Sequence, residues 1–406
     1  MTSNLNNANS TPSSRAEDRA LIAEIHQQQA SITQLIQKLR DKTREISQTL
    51  DAASPFPFHQ LPPELMASIF TNCLPTYPFC AEMVGRKSPA KFMLVCRRWR
   101  DIALSTPQLW RAMDIGSINS RYVSQLSLVS LWLQHSKSMP LSIDADSFTH
   151  IEEDTMKALF AHKERWEFVR FQLDMAKYPG LKDTTPLLRS LELNTDSYLP
   201  SSQGIDVSFL PRDVPRLRAV ILWDFWMPSH FEGTATFFPW SQLTALILLY
   251  PHVSNCNEIL QHTKQLIHFE LIMSSSSPEG PESNILLPDL QSLVFARYGS
   301  DPDEQSETTH YISTLVLPAL RKIRVCDIMI RPNPVAALKA LVERSGCKLE
   351  EVCITGGRSG AKEIYERELG TYVWFDESHV GTEGWIEEDE QARARQRIAD
   401  IILDMG

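Results

Sequence analysis

Few residues of this chain could support catalysis, and those few lack the partners that known chemistries require. Residues 356–360, GGRSG, follow an apolar run as a phosphate-binding loop would, but the lysine and hydroxyl that hold phosphate and magnesium are missing. We interpret them as a turn. Cys96 stands beside Arg97 and Arg98, whose charges favour a thiolate. Since no histidine base lies nearby in the sequence, we expect Cys96 to pack within its helix.

Motifs for metal, nucleotide and acyl-transfer chemistry are also missing from the sequence. The eleven histidines show no HExxH or comparable spacing, and neither a GxxxxGK[ST] loop nor a GxSxG elbow occurs. The sequence therefore predicts no catalytic residue, no metal and no cofactor. An enzyme with an unrecognised site remains an alternative.

Composition indicates a globular chain with room for two or three structural units. Its 406 residues are 43% hydrophobic, and no apolar run approaches the roughly 18 residues that cross a bilayer. Seven cysteines without a CxxC pair are typical of reduced thiols, so we expect a cytosolic or nuclear protein without membrane contact. The net charge of −10 and pI near 5.6 argue against a nucleic-acid binder.

The segment from Leu61 to Trp110 has well-marked helix starts. Proline begins three predicted helices, at positions 62–63, 89 and 107, where its missing N–H group removes no helical hydrogen bond. Each of the first two helices carries one apolar stripe: Leu65, Ile69 and Phe70, then Phe92, Val95, Trp99 and Ile102. A module of roughly 50 residues closes only a marginal core, so we expect it to bury surface against a partner.

This segment resembles the F-box, the helical motif by which substrate receptors dock on the Skp-type adaptor of Skp–cullin–F-box ubiquitin ligases. The resemblance rests on the LPPEL opening, VCRRW in the second helix and the closing PQLW, although the connection between Cys73 and Ser88 is unusually long. It implies a non-catalytic receptor subunit. The residues implied for the adaptor interface, or for the core directly behind it, are Leu61, Pro62, Glu64, Leu65, Ile69, Phe70, Val95, Cys96, Trp99, Leu109 and Trp110. An ordinary helical corner of a larger core is the alternative.

The N-terminal region predicts a disordered tail over residues 1–15 and a helix over 16–51. A heptad seam runs along this helix, with Leu21, Ile25, Ile32, Leu35, Leu39 and Ile46 at its a and d positions. Polar residues at other d positions, Gln28, Lys42 and Thr49, argue against a strong parallel coiled coil. Weak self-association and packing against its own protein are both compatible with this seam, and we favour the second.

A repeat of the form apolar-x-x-apolar-x-apolar occurs ten times in the rest of the chain. Its units start at residues 110, 138, 166, 188, 217, 243, 266, 290, 320 and 349. This spacing resembles that of leucine-rich repeats, in which each unit adds one strand to a parallel sheet and returns by a helix or an irregular arc. Return helices are expected at 120–134, 154–163, 257–264 and 334–344. An α/β sandwich is the alternative.

The repeat also predicts a binding surface, because side chains alternate along a strand. Residues that flank the central apolar position should share the concave face: Ile221, Trp223, Ile247, Leu249, Ile272, Val294, Lys322 and Arg324, with Arg170 and Glu192 at the earlier edge. An apolar centre bordered by charge suits the binding of a target protein. Alternatively, the C-terminal segment could fold back and cover this face.

We therefore predict an α/β protein with an N-terminal helix, a small all-α F-box module and an irregular leucine-rich-repeat solenoid with a parallel sheet. The predicted domains beyond the N-terminal helix are 57–113 for the F-box-like module, 114–362 for the repeats and 363–406 for a C-terminal cap ending in a helix at about 387–403. This order is similar to that of the large fungal F-box families. It implies a substrate-recognition subunit whose partners are a Skp-type adaptor, a cullin complex and a protein target; a non-degradative scaffold is the alternative.

Overall fold

The protein, as a computed structural model, forms two compact units, Met1–Met66 and Ala67–Gly406. The predicted F-box-like segment, residues 57–113, crosses the boundary between them. The structure describes residues 12–53, 61–118, 124–145, 151–173, 184–195, 213–223, 238–249, 251, 253–273, 284–297, 309–356, 362–376, 396–397 and 400.

Most helices that the structure describes precede the sheet or connect its strands. The α-helices are α1 (Pro12–Ala53), α2 (Pro63–Asn72), α3 (Arg97–Ser105), α4 (Gln125–His135), α5 (Glu153–Phe160), α6 (Val253–His262), α7 (Thr309–Thr314), α8 (Pro334–Ser345) and α9 (Lys362–Leu369). Short 3-10 helices are Pro89–Leu94, Pro107–Leu109, Ile115–Ser117, Lys163–Arg165, Trp240–Gln242 and Asp327–Ile330. The four predicted return helices are found as α4, α5, α6 and α8, with ends shifted by a few residues.

Helix α8 shows how the local sequence determines where a return helix begins and ends. The Asn333 side chain accepts a hydrogen bond from the N–H of Ala336, and Pro334 follows in the first turn, where proline is tolerated. The helix ends at Gly346, whose φ of 63° is favourable for glycine and whose N–H bonds to the carbonyl of Val342.

Twelve strands form one parallel sheet, and β9 and β11 pair in a separate two-stranded parallel sheet. The strands are β1 (Ala81–Glu82), β2 (Ala112–Asp114), β3 (Leu141–Ala145), β4 (Trp166–Leu173), β5 (Ser190–Thr195), β6 (Ala219–Trp223), β7 (Ala245–Leu249), β8 (His268–Met273), β9 (Ile285–Leu286), β10 (Ser292–Arg297), β11 (Leu315–Val316), β12 (Lys322–Cys326), β13 (Glu351–Thr355) and β14 (Tyr372–Asp376). The order of the large sheet is β1 to β8, then β10, β12, β13 and β14. Each strand thus lies beside the preceding one in a solenoid-like arrangement.

The predicted fold class is confirmed, and each of the ten repeat units supplies one strand of this sheet. The units form strands because each buries the same position of the repeat. The central apolar residue of the unit is buried, and exposures of at most 2% are found for Val220, Leu246, Phe269, Leu293 and Ile323. Full burial of one such side chain contributes roughly 1.5–3 kcal/mol, so a column repeated in every unit stabilises the whole stack.

Two further strands extend the sheet at its ends. Strand β1 lies in the long connection between Cys73 and Ser88, where Ala81 pairs with Met113 of β2. Strand β14 lies within the segment predicted as the C-terminal cap, where Tyr372 pairs with Glu351 of β13. Neither has the repeat pattern, since β1 has two residues and β14 follows helix α9 without the leading leucine.

Helix α1 confirms the predicted N-terminal helix, which begins at Pro12. Residues 1–11 of the predicted tail lie outside the described part of the chain. The apolar seam residues of α1 are solvent-exposed, Ile25 by 46% and Leu35 by 62%. Self-association and packing against its own protein both stay predictions. Within the described residues, no helix has the length and apolar character needed to span a bilayer.

Candidate functional site

The second helix predicted in the F-box-like segment is two helices in the structure. A 3-10 helix, Pro89–Leu94, begins at Ser88, whose hydroxyl accepts from the N–H of Ala90 at 3.2 Å. Cys96 is extended (φ −156°, ψ 172°) and precedes α3, so it does not pack within a helix as predicted. The apolar spacing suggested one continuous helix because an aromatic residue on each side of Cys96 packs against the same neighbour.

That neighbour is Phe70, on α2. Its ring stacks on Phe92 with centroids 4.3 Å apart and planes 7° apart, and Trp99 of α3 lies 4.8 Å from it at a tilt. Phe70 is 1% exposed. These three aromatic residues therefore form a local core, with Phe92 from the 3-10 helix and Trp99 from α3 fixed against α2.

Trp110 connects the helical segment to the sheet. Its indole N–H donates to the carbonyl of Ala103 on α3 at 2.8 Å, and its ring meets Trp132 of α4 edge-on at 5.3 Å. It is fully buried, as is its neighbour Leu109. The predicted third helix is only a 3-10 turn, because Thr106 does not cap it and instead donates its hydroxyl proton to the carbonyl of Ile102.

Other apolar side chains of this segment are exposed. Leu65 and Ile69 stand one turn apart on α2 and are 53% and 38% exposed. Leu94, the last residue of the 3-10 helix, and Val95, which follows it, are 84% and 58% exposed. Leu94 was not predicted as a site residue, although its place next to Val95 in an apolar run was a usable signal. Four large aliphatic side chains of the F-box-like segment are thus in contact with solvent.

The structure separates the residues predicted for the adaptor interface or its core. Pro62, Glu64, Leu65, Ile69 and Val95 are exposed. Those of intermediate exposure are Leu61, Cys96 and Trp99, and those buried are Phe70, Leu109 and Trp110. Burial places the last three in the core behind any interface. Adaptor contact by the exposed residues stays a prediction.

A second candidate site lies on one face of the large sheet. Registered positions on neighbouring strands form a row, here named the central row: Asp114, Asp144, Arg170, Glu192, Ile221, Ile247, Glu270, Val294, Arg324, Cys353 and Trp374. Side chains at registered positions of parallel strands share a face. The row begins with four charged residues, continues with apolar residues that Glu270 interrupts, and after Arg324 ends with the uncharged Cys353 and Trp374.

Ion pairs and hydrogen bonds hold the charged parts of the central row. Arg170 binds Asp144 at 2.8 Å and lies 3.4 Å from Glu192, whose carboxylate also accepts from the indole N–H of Trp223 at 3.0 Å. Burial, followed by the charge of Asp144, raises the pKa of Asp114. Towards the other end Arg324 binds Asp376 at 2.7 Å.

The residues predicted to bind a target share this face, but most are buried. Ile221, Trp223, Ile247, Leu249, Ile272 and Val294 are at most 6% exposed, whereas Lys322 is exposed and Arg324 is half-buried. One residue of the C-terminal segment, Arg397, contacts this face at Glu270, and covering of the face by this segment stays a prediction. Of the predicted last helix, the described residues Gln396, Arg397 and Asp400 are helical, and its remaining residues lie outside the described part.

Glu270, at the middle of the central row, was missed by the sequence analysis. It is 0% exposed, and its Oε1 lies 2.6 Å from Nε2 of His268. Arg397 contacts both carboxylate oxygens, Nε to Oε1 and Nη2 to Oε2, each at 2.6 Å. The signal was available, because Glu270 occupies in its repeat the position that Ile221 and Ile247 occupy in theirs.

The electrostatics of Glu270 keep its carboxylate ionised. Burial alone would raise its pKa, but hydrogen bonds from His268 and Arg397 and the charge of Arg397 outweigh burial and lower the pKa to about 2. The site therefore presents a fixed negative charge inside an apolar surface.

This lowered pKa predicts acid sensitivity. A fall from the usual 4.5 to about 2 corresponds to about 3 kcal/mol of stability that is present above pH 4.5 and is lost as the pH falls towards 2. Glu270→Gln cannot titrate. We therefore expect the stability difference between wild type and E270Q, measured by urea unfolding, to shrink between pH 6 and pH 3.5.

The control for this prediction is Glu350→Gln. Glu350 pairs with Arg321 at 3.3 Å, but both side chains are more than half exposed. Such surface pairs contribute little. A wild-type advantage over E270Q that stays constant with pH, or one that E350Q reproduces, would contradict the assignment to Glu270.

Metal binding and phosphate binding gain no support from the structure. In the part of the chain that the structure describes, no group of three or more His, Cys, Asp or Glu side chains could hold a metal ion. Of the glycine-rich segment, residues 357–360 lie outside the described part.

Comparison with known families finds one match. Residues 58–116 match the model of the F-box-like family, a range close to the predicted 57–113. No curated protein matches the chain. The matched range contains the Phe70, Phe92 and Trp99 core, the exposed aliphatic residues and Trp110. The chain therefore carries an F-box-like domain, which supports its interpretation as an F-box protein.

Proposed function

We propose that this protein is the substrate-recognition subunit of a Skp–cullin–F-box ubiquitin ligase. Its F-box-like domain binds a Skp-type adaptor, and its repeat region binds a target protein. The observation that carries the proposal is the family match over residues 58–116, because F-box domains bind Skp-type adaptors within cullin complexes. The acidic chain with reduced cysteines is expected in the cytosol or nucleus, and none of its seven cysteines, all of them among the described residues, forms a disulfide.

The exposed aliphatic side chains support the adaptor-binding role. Leu65, Ile69, Leu94 and Val95 leave apolar area in water that a partner would cover. Removal of apolar surface from water contributes roughly 25 cal/mol per Å² of buried area. The buried aromatic residues behind them fix the backbone that presents Ile69 and Val95.

The proposed role requires no catalytic group from this chain. A receptor that holds its target raises the effective concentration of the target's lysines near a conjugating enzyme carried elsewhere in the complex. Positioning alone then accelerates ubiquitin transfer.

Two measurements test the proposal in sequence. Affinity purification of the intact chain from cells, followed by mass spectrometry, should recover a Skp-type adaptor, a cullin and a target protein together. Inhibition of the cullin should then lengthen the half-life of that target. Recovery without adaptor would contradict the proposal, and adaptor binding without cullin-dependent turnover would favour the non-degradative scaffold.

Removal of residues 1–50 should leave adaptor binding intact. This deletion takes away nearly all of α1 and retains the matched range that begins at residue 58. The measurement is a pull-down of purified adaptor by intact and shortened chains at equal concentration, with equal recovery expected. If the shortened chain folds but no longer captures the adaptor, the heptad helix is part of the interface.

A further inference from the structure

Glu270 is an unusual residue for its place in the fold. It lies in the central row between Ile247 and Val294, both buried, and is itself 0% exposed. Removing a carboxylate from water is expensive, and a buried ion pair is often no more stabilising than an apolar replacement. Stability alone therefore does not explain an acid in the middle of this apolar surface.

The contact of Glu270 with Arg397 has the geometry of specific arginine recognition. Two guanidinium nitrogens meet the two carboxylate oxygens at 2.6 Å each, the paired arrangement that only arginine provides. Arg397 keeps 26% of its side chain exposed. The Arg397 side chain is thus in partial contact with solvent, although the carboxylate that it binds is buried.

His268 holds the carboxylate independently of Arg397. It belongs to the same strand, two residues before Glu270, and its Nε2 lies 2.6 Å from Oε1. Both residues are buried and fixed by strand β8. His268 thus restricts the orientation of the acceptor from within its own strand, which reduces the entropy lost when an arginine binds.

Arg397 reaches this site from outside the sheet. Arg170 and Asp144 lie on adjacent strands, and Arg324 and Asp376 lie on strands of the same sheet. Arg397 is 127 residues from Glu270 and follows the last strand. If an arginine of another protein took the place of Arg397 at Glu270, the pairing of the strands would not change.

We propose that Glu270 and His268 form a recognition site for an arginine side chain of the target protein, and that Arg397 occupies this site until the target displaces it. The inference rests on the proposed function and names the chemistry of the target: an accessible arginine side chain. Its guanidinium pairs with both carboxylate oxygens of Glu270, as that of Arg397 does. The net charge of −10 favours approach of a basic segment.

The test uses the full-length chain with the site vacated by Arg397→Ala. A phage-displayed library of random peptides is selected on R397A and, in parallel, on the double variant E270Q/R397A. We expect peptides selected on R397A to share one arginine, and peptides selected on the double variant to lack it. Selection on R397A without enrichment of arginine would overturn the inference.

Affinity measurements with one selected peptide then quantify the contribution of its arginine without a further change in R397A. Replacement of its arginine by alanine, or by lysine, should weaken binding to R397A by about 30-fold or more, as expected for loss of a buried, paired charge. Wild type should bind the unchanged peptide about tenfold more weakly than R397A, because Arg397 competes. Equal affinity of the arginine and alanine peptides, or equal affinity of wild type and R397A, would overturn the inference.

The same protein preparations separate this inference from the proposed function. Arg397 and Glu270 lie outside residues 58–116, so R397A and E270Q/R397A should capture the adaptor as wild type does. If the proteins capture the adaptor but show no preference for arginine peptides, the recognition site is contradicted and the receptor function stands. If none of the three proteins binds an adaptor, the proposed receptor function is contradicted instead.

Discussion

Replacement of Val95 or Leu65 by aspartate should weaken binding of a Skp-type adaptor by about 100-fold without unfolding the protein. Both side chains are more than half exposed, so the folded chain tolerates a carboxylate at either position. In a complex the same carboxylate would be buried without a partner, which costs several kcal/mol at an interface. Binding of purified adaptor, measured by calorimetry or interferometry, checks the expected loss.

Ile364→Asp is the matched control for this pair of variants. Ile364 is an aliphatic residue on α9, 47% exposed, and it lies far beyond the range that matches the F-box-like family. We expect I364D to bind the adaptor like wild type and all three variants to melt within a degree or two of it. If V95D and L65D bind the adaptor normally, the interface lies elsewhere, and the proposed role of Val95 and Leu65 in adaptor binding is contradicted.

The sequence predicted the helical segment but did not separate its core from its surface. Ile69 and Phe70 are adjacent members of one apolar stripe, yet Phe70 is buried and Ile69 is 38% exposed. The difference arises from tertiary packing, since Phe92 and Trp99 both contact Phe70. Hydrophobic spacing reports which residues share a face, not which part of that face meets the rest of the chain.

The same distinction holds for the repeats. All ten predicted units form strands, because burial of one aliphatic position per unit is a local, repeated signal. Strand β1 was not predicted, since two residues carry no period. The pairing of Glu270 with Arg397 was beyond sequence reasoning for another reason: the two residues are 127 positions apart, and no local pattern connects them.

Trp110→Ala should destabilise the protein strongly and weaken adaptor binding only as a consequence. The indole is fully buried, packs edge-on against Trp132 and donates to the carbonyl of Ala103. Truncation of a buried tryptophan costs about 3–5 kcal/mol, and the abandoned carbonyl adds roughly 1 kcal/mol more. For a unit of this size we expect the melting temperature to fall by about 5 °C, measured by calorimetry.

Trp110→Phe separates the two contributions, because phenylalanine retains most of the ring contact with Trp132 and loses the donor to Ala103. Its melting temperature should lie between those of wild type and W110A. Since Trp110 lies two residues before strand β2 and bonds to α3, W110A should also weaken adaptor binding at temperatures near its transition and regain it on cooling. V95D would not regain binding, because its defect lies at the surface. Adaptor affinity that is lost at every temperature in W110A with an unchanged melting point would place Trp110 in the interface itself and overturn its assignment to the core.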